Sequence, residues 1–183
     1  NYTMTFVAGS SWQPDEDLFI EYFNQHPEVK LIIAPHVIDE NHLVEIIRKL
    51  KRPYVRYTRA NEKYVRKADC LIIDCFGLLS SIYRYGEIAY IGGGFGVGIH
   101  NTLEAAVYGI PVIFGPKYQK FQEAIQLLET KGAFSVKDYE ELKTLLDRML
   151  TDEVFLRESG MNASNYVTSN AGATDKIMSM INF

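Results

Sequence analysis

"EIAYIGGGFGVGIHNTLEAAVYGIPVIFGP", Glu87 to Pro116, decides how the rest of the chain reads. The run Ile88–Gly92 is apolar at nearly every position, which marks a strand covered on both faces. It ends in three consecutive glycines, Gly92, Gly93 and Gly94, and Gly96 and Gly98 follow. A helical pattern over Thr102–Tyr108 stops at Gly109, and a second apolar run, Pro111–Phe114, follows. Strand, loop, helix and strand in this order form a βαβ unit, whose two strands run parallel in one sheet.

The alternation continues in both directions. Further strands are expected at Met4–Ala8, Val29–Ala34, Tyr54–Tyr57, Cys70–Asp74 and Ala133–Val136. Helices are expected at Pro14–Asn24, Asn41–Leu50, Leu78–Tyr85, Phe121–Glu129 and Tyr139–Met149. The fold class is therefore α/β: a doubly wound, mostly parallel sheet with helices on both faces. The tail from Asp152 reads as helical with a turn around Asn170–Gly172, and its apolar Ile177, Met180 and Ile181 face either this sheet or another domain. Ligands of such sheets bind beyond the carboxyl ends of the strands. Gly9–Trp12, Pro35–His36, Asp74–Gly77, Gly92–Glu104 and Gly115–Lys117 should then converge on one crevice.

Bulk composition narrows the classes. The 183 residues suffice for one domain with a real core, here taken as residues 1–183 without an internal linker. A net charge of -4 without a Lys/Arg block argues against a nucleic-acid partner. No apolar run is long enough to span a bilayer, and there is no signal-peptide layout. Cys70 and Cys75 read as a reduced pair, with neither disulfide-framework nor zinc spacing. A core strand so close to the first residue leads us to expect a piece of a longer protein.

Bare backbone between strand and helix lets amide N–H groups approach an anion, and a helix start near His100 adds its positive end. Tight packing explains the same glycines equally well. A P-loop is excluded, because Ile99 and His100 stand where Lys-Ser/Thr is required. The dinucleotide fingerprint G-x-G-x-x-G is absent in strict form, and "AGSSW" follows the first strand. Glu104, about one turn after His100, can accept both hydroxyls of a ribose; the alternative is an exposed helix glutamate. His100 either fixes the loop or touches the ligand. Trp12 either packs or covers a sugar, and Tyr83, Tyr85 and Tyr90 read as core or interface aromatics.

The stretch "GGGFGVGIHNTLEAAVYGIPVIFGP" resembles the donor-site motif of bacterial 3-deoxy-D-manno-octulosonic acid (Kdo) transferases, G-G-H-N-x-L-E-P-A followed by G-x-P-V-x-F-G-P. "FVAGSSWQPDE", "LIIAPH" and "IIDCFGLLSSIYRYGEIAYIGG" are similar to further family segments, in the family's order. The resemblance implies the C-terminal, donor-binding half of a two-domain GT-B glycosyltransferase, with the acceptor domain outside this chain. It implies CMP-Kdo as donor, a lipid A precursor as acceptor, inversion, and no metal or other cofactor. The catalytic base and the membrane contact would belong to the N-terminal half, at the cytoplasmic face of the bacterial inner membrane. This half would then be soluble and inactive alone.

Carried over by position, the resemblance implies Ser10 and Ser11 near the donor phosphate or sugar and Gly92, Gly93 and Gly94 as close backbone. It implies Asn101 beside the phosphate, Glu104 on the ribose, and Asp74 to Gly77 along the cytosine edge; His100, a candidate donor-site residue, keeps both readings given above. Three positions depart from the family. His36 stands where arginine is usual, Leu78 replaces the glutamate of G-E-L, and Ile99 replaces the second glycine of G-G-H-N. Neutral imidazole lacks the permanent charge and forked donors of arginine; Lys117 is a candidate substitute or a solvated surface lysine. Two other readings stay open: a UDP-sugar transferase or epimerase domain, and a non-catalytic binding domain of the same fold.

Overall fold

The computed structural model describes residues 3–180. Its strands are β1 (Met4–Ser11), β2 (Val29–Pro35), β3 (Tyr54–Arg56), β4 (Cys70–Ile72), β5 (Ile88–Ile91), β6 (Val112–Phe114) and β7 (Ala133–Ser135). They form one sheet in the order β3-β4-β2-β1-β5-β6-β7, and every neighbouring pair is parallel. The chain begins at β1 in the middle, winds outward through β2, then returns to lay β5 on the other side of β1. That reversal is the topological switch point, where doubly wound sheets open a crevice. Gly9 pairs with Ile91, and Gly92 N donates to Gly9 O at 2.9 Å, so β1 and β5 end together.

Alternating side chains build two cores. Phe6, Ala8, Leu31, Ile33, Tyr90 and Ile113 face one way, against α1 (Gln13–Gln25), α2 (Glu40–Lys49) and α7 (Tyr139–Thr151). Val7, Ala89, Ile91, Val112 and Phe114 face the other. There they meet the one-turn helices α4 (Leu79–Ile82) and α5 (Leu103–Ala106), with α6 (Gln122–Glu129) and α8 (Glu153–Met180). Each large side chain buried this way contributes ~1.5–3 kcal/mol, which is why the strand runs are apolar at both parities. Tyr83 and Tyr90 are core aromatics, fully buried, whereas Tyr85 is exposed, which leaves only the interface half of its reading. Both cysteines are free, and burial pushes the Cys70 thiol pKa up.

Several boundaries differ from expectation. The Leu78–Tyr85 helix is α4 followed by a 3-10 turn, Tyr83–Tyr85. The helix after the glycine loop is only α5, so its dipole is that of a single turn. A 3-10 turn at Tyr57–Arg59 and the short α3 (Glu62–Val65) were not expected. The tail is one helix through Asn170–Gly172; a single helical glycine costs only ~1 kcal/mol relative to alanine, and Asn170 Nδ2 bonds the Tyr166 carbonyl instead. Ile181 and the side chains of Ile177 and Met180 lie outside the described residues.

Small residues seat α8 on the second core. A Cβ on Gly160 would collide with the Gly109 carbonyl, and Gly109 itself needs its positive φ of 71° to end the turn after α5. Gly160→Ala is expected to cost ~1–3 kcal/mol by overpacking. Thermal unfolding should show a midpoint several degrees lower, and an unchanged midpoint would contradict this close approach.

Candidate functional site

The site is built where β1 ends. Ser10 adopts φ 51°, sparsely populated for a residue with a side chain, and the register of β1 on β2 skips it. This kink turns Ser11 inward, where its Oγ donates to Glu16 Oε1 at 2.9 Å. Trp12 then starts α1, whose first turn carries two buried acids. Asp15 Oδ2 accepts from Trp12 N at 2.9 Å and Gly93 N at 3.0 Å, and its Oδ1 accepts from the Tyr90 hydroxyl at 2.8 Å. Glu16 Oε1 is also 2.9 Å from His42 Nε2 on α2. Burial raises the pKa of both acids, with these hydrogen bonds opposing it.

Asp15 thus fastens the glycine loop to the end of β1. The loop is otherwise closed on this chain's own backbone. Gly93 has φ 97°, and a Cβ there would strike the Gly98 carbonyl; at Gly92 it would strike the Ser10 carbonyl, and at Gly94 the backbone of Gly115. The amides of Gly96 and Gly98 both donate to Gly93 O, and His100 N donates to Gly92 O. The loop amides of Gly92, Gly93, Gly96 and Gly98 are therefore committed internally, which favours the tight-packing reading of these glycines over the anion cradle. Buried peptide groups must find partners, and here the protein supplies them. Ile99 is buried in the second core and anchors the loop. Lys117 contributes its backbone N to Gly94 O and its Nζ to Gly96 O.

Polar side chains rather than loop amides form the rim. Asn101 Oδ1 accepts from Leu103 N at 2.9 Å, and its Nδ2 lies 3.4 Å from Glu104 Oε1. Beneath them Tyr83 and Leu79 press on Gly9; burial, and then the Glu104 charge, raise the Tyr83 pKa. Next to Asn101 in the chain, His100 belongs to a cluster of three rings. His36 stacks on Trp12 with centroids 4.6 Å apart and on His100 at 4.5 Å, and Trp12 Nε1 donates to His100 Nε2 at 3.3 Å. Burial, and then the nearby His36, lower the His100 pKa. A cavity of about 490 Å³ opens beside the rim, lined by His100, Asn101, Phe121 and Glu123 among others.

Ser10, Ser11, His36, Gly92, Gly93, Gly94, His100, Asn101 and Glu104 thus gather around the switch point. Asp74 does not: β4 is two strands away from β1, and its carboxylate is held by Arg56 Nε at 2.8 Å and by Thr58 N and Oγ1 at 2.8 and 2.6 Å. Burial pushes the Asp74 pKa up, but those bonds outweigh it and hold it below the ordinary aspartate value. Gly77, with φ 89°, belongs to the exposed turn between Asp74 and α4, next to the exposed Phe76. Asp15, Glu16 and His42 were not singled out from sequence, and Tyr90 was read only as a core or interface aromatic. The one available signal was an acidic pair in the first turn of the helix that follows β1.

Among solved structures this fold matches the Rossmann-like halves of GT-B glycosyltransferases. The C-terminal CMP-Kdo binding domain of WaaA from Acinetobacter baumannii superimposes with a TM-score of 0.79 at 19% identity, covering 91% of this chain and 90% of that one. Anabaena Alr3699/HepE, solved in complex with UDP-glucose, matches with a TM-score of 0.67 at 14% identity over 97% of this chain and 49% of its own. By sequence the chain is homologous to the 3-deoxy-D-manno-octulosonic acid transferase family and corresponds to its C-terminal GT-B domain. The Aquifex aeolicus 3-deoxy-D-manno-octulosonic acid transferase is 34% identical over 151 residues, 79% of this chain. The chain spans about two fifths of that relative's length (41%). No protein-family model matches it.

Proposed function

We propose that this chain is the CMP-Kdo-binding half of a Kdo transferase that extends a lipid A precursor. The observation that carries the reading is the Asn101–Glu104 pair that follows the glycine loop at the β1/β5 switch point, next to His100 of the ring cluster. Glu104 would accept the two ribose hydroxyls, Asn101 would meet the phosphate, and the turn containing Phe76 and Gly77 would edge the cytosine. An acceptor hydroxyl would attack the anomeric carbon of Kdo with inversion. The bond from that carbon to the phosphate oxygen breaks, CMP leaves, and a base of the preceding half takes the hydroxyl proton. Charge then grows on the departing phosphate. Fixed protein dipoles and side chains would stabilise that charge without a metal ion. The preceding half would also supply the acceptor site and the contact with the cytoplasmic face of the inner membrane. Among the described residues no helix is long and apolar enough to cross a membrane.

Calorimetric titration tests this reading. CMP is expected to bind at least about tenfold more tightly than UDP or UDP-glucose, a difference of roughly 1.4 kcal/mol. At a hundredfold excess over Kd, CMP should add ~2.7 kcal/mol of stability, visible as a higher melting temperature, while the chain alone transfers no Kdo. Preference for UDP-sugars would move the chain to the other donor class. No thermal response to either nucleotide would make it a binding domain without this chemistry, and Kdo transfer by this half would refute the assignment of the base.

A further inference from the structure

The edge of the sheet beside β3 carries a surface that the donor site does not use. From Tyr57 to Lys67 every residue is exposed, although Tyr57, Tyr64 and Val65 are among them, at 47%, 58% and 49%. Four cations share the run, Arg59, Lys63, Arg66 and Lys67, against one acid, Glu62. The run is held in shape at both ends. At its start Thr58 N and Oγ1 donate to Asp74, and just past its end Asp69 N donates to Pro53 O at 2.8 Å. Between them Asn61 caps α3, accepting from Tyr64 N at 3.2 Å, and Lys67 N donates to Tyr64 O at 3.1 Å. Asp74, expected at the nucleobase, fastens this edge instead.

An apolar groove adjoins the run. Ile32, Val55, Val65, Leu71 and Tyr85 are among the residues lining its volume of about 260 Å³. Ile32 and Leu71 belong to inner strands yet are only half-buried, because α3 is a single turn and covers little of the sheet. Arg84, next to the exposed Tyr85, is exposed as well. We infer that this edge is a docking surface for an anionic lipid bilayer, with its cations on the lipid phosphates and Tyr64, Val65 and Tyr85 at headgroup level. The inference goes beyond the donor-site reading: it gives this chain a membrane contact of its own, besides the one assigned to the preceding half.

Local charge decides the partner. Among the described residues Arg59, Lys63 and Lys67 are not ion-paired, and Arg66 meets only the exposed Glu62, at 4.0 Å. The neighbouring acids are engaged: Glu40 and Asp74 by Arg56, Asp69 by Lys30 and Arg52, and Glu87 by Thr5 N. The edge is thus positive in a chain whose net charge is -4, so an anionic membrane attracts this surface and repels the rest, which fixes the orientation. Single-stranded nucleic acid fits less well. It is held in a basic groove with rings that stack on the bases; here the groove is mostly aliphatic, and the unpaired cations stand outside it.

Vesicle flotation tests this, with phosphatidylglycerol mixed into phosphatidylcholine against phosphatidylcholine alone. The chain should bind the anionic vesicles only, and raising the salt from about 0.05 to about 0.5 M should weaken binding at least about tenfold. A basic residue near such a surface contributes about fivefold in affinity. Lys63→Gln combined with Lys67→Gln should therefore weaken binding about twentyfold, with the melting temperature and the response to CMP unchanged. Lys120→Gln with Lys131→Gln, exposed cations on either side of α6, is the control and should weaken it less than about twofold. Tyr64→Trp reports depth: its added emission should move to shorter wavelength on anionic vesicles. No binding to anionic vesicles at low salt, equal weakening by the two lysine pairs, or an unshifted emission overturns the inference, as does capture of single-stranded RNA in preference to vesicles. Each of these outcomes leaves the donor-site reading standing, and vesicle binding by a chain that takes up no CMP removes only that reading.

Discussion

Replacing Asp15 by alanine is expected to destabilise the fold more than any single change on the rim. Its carboxylate receives three donors, Trp12 N, Gly93 N and the Tyr90 hydroxyl, and it is almost wholly buried. Leaving buried donors unpaired costs ~1–3 kcal/mol each, so a loss of about 3–5 kcal/mol is expected even after partial relaxation. At roughly 2–4 °C per kcal/mol for a chain of this size, the melting temperature should fall by about 10 °C. Asp15→Asn separates geometry from charge, because its carbonyl can still accept both amides and its NH₂ can donate to the Tyr90 oxygen. It should recover most of the loss. Burial raises the folded pKa of Asp15, so the contribution of this titration to stability is fully present below the unfolded aspartate value and is lost as pH rises through the folded pKa. The wild-type protein should accordingly gain on Asp15→Asn as the medium is made acidic. Denaturant titrations at neutral and acidic pH check both points, and an Asp15→Ala protein as stable as the wild type would show that the loop is fastened elsewhere.

That acid also shows where a one-dimensional reading stops. A strand buried on both faces must be apolar at both parities, so "LIIAP" and "AYIGG" announced the sheet, and their spacing announced the parallel crossovers. Asp15 carries no such mark. An acid in a first helical turn reads as a solvated partner of the helix dipole, and nothing local says that Gly93, 78 residues on, will fold against it. The glycines were legible as close approaches, but spacing cannot say what does the approaching. At Gly92, Gly93 and Gly94 it is the chain's own backbone. Asp74 met the same limit, since its partners Arg56 and Thr58 come from a three-residue edge strand and an irregular turn without periodicity. What survives as the rim, Asn101 and Glu104, was readable because both follow the loop within one turn.

Glu104→Ala is expected to weaken CMP binding by about ten- to a hundredfold while leaving the melting temperature of the free protein within about one degree. The first figure follows from two ribose hydroxyls donating to one carboxylate. A hydrogen bond to a charged group is worth ~1.5–3 kcal/mol net, and the loss expected here is that of about one such bond, because water entering the space left by Glu104→Ala can pair with the second hydroxyl. The second follows from position: Glu104 is partly exposed, and its described hydrogen bond is the long one from Asn101 Nδ2, a kind of contact whose loss changes stability by no more than about 0.5 kcal/mol. Affinity alone would not separate a ribose contact from a general loss of rim shape, so the ligand should be cut back as well. Against the wild type, 2′-deoxy-CMP should bind about tenfold more weakly than CMP; against Glu104→Ala the two should bind alike. Contacting groups couple in such a cycle, and groups that never meet add. A full penalty for the deoxy ligand in the variant would place the 2′-hydroxyl against some other group and would leave Glu104 an ordinary surface acid.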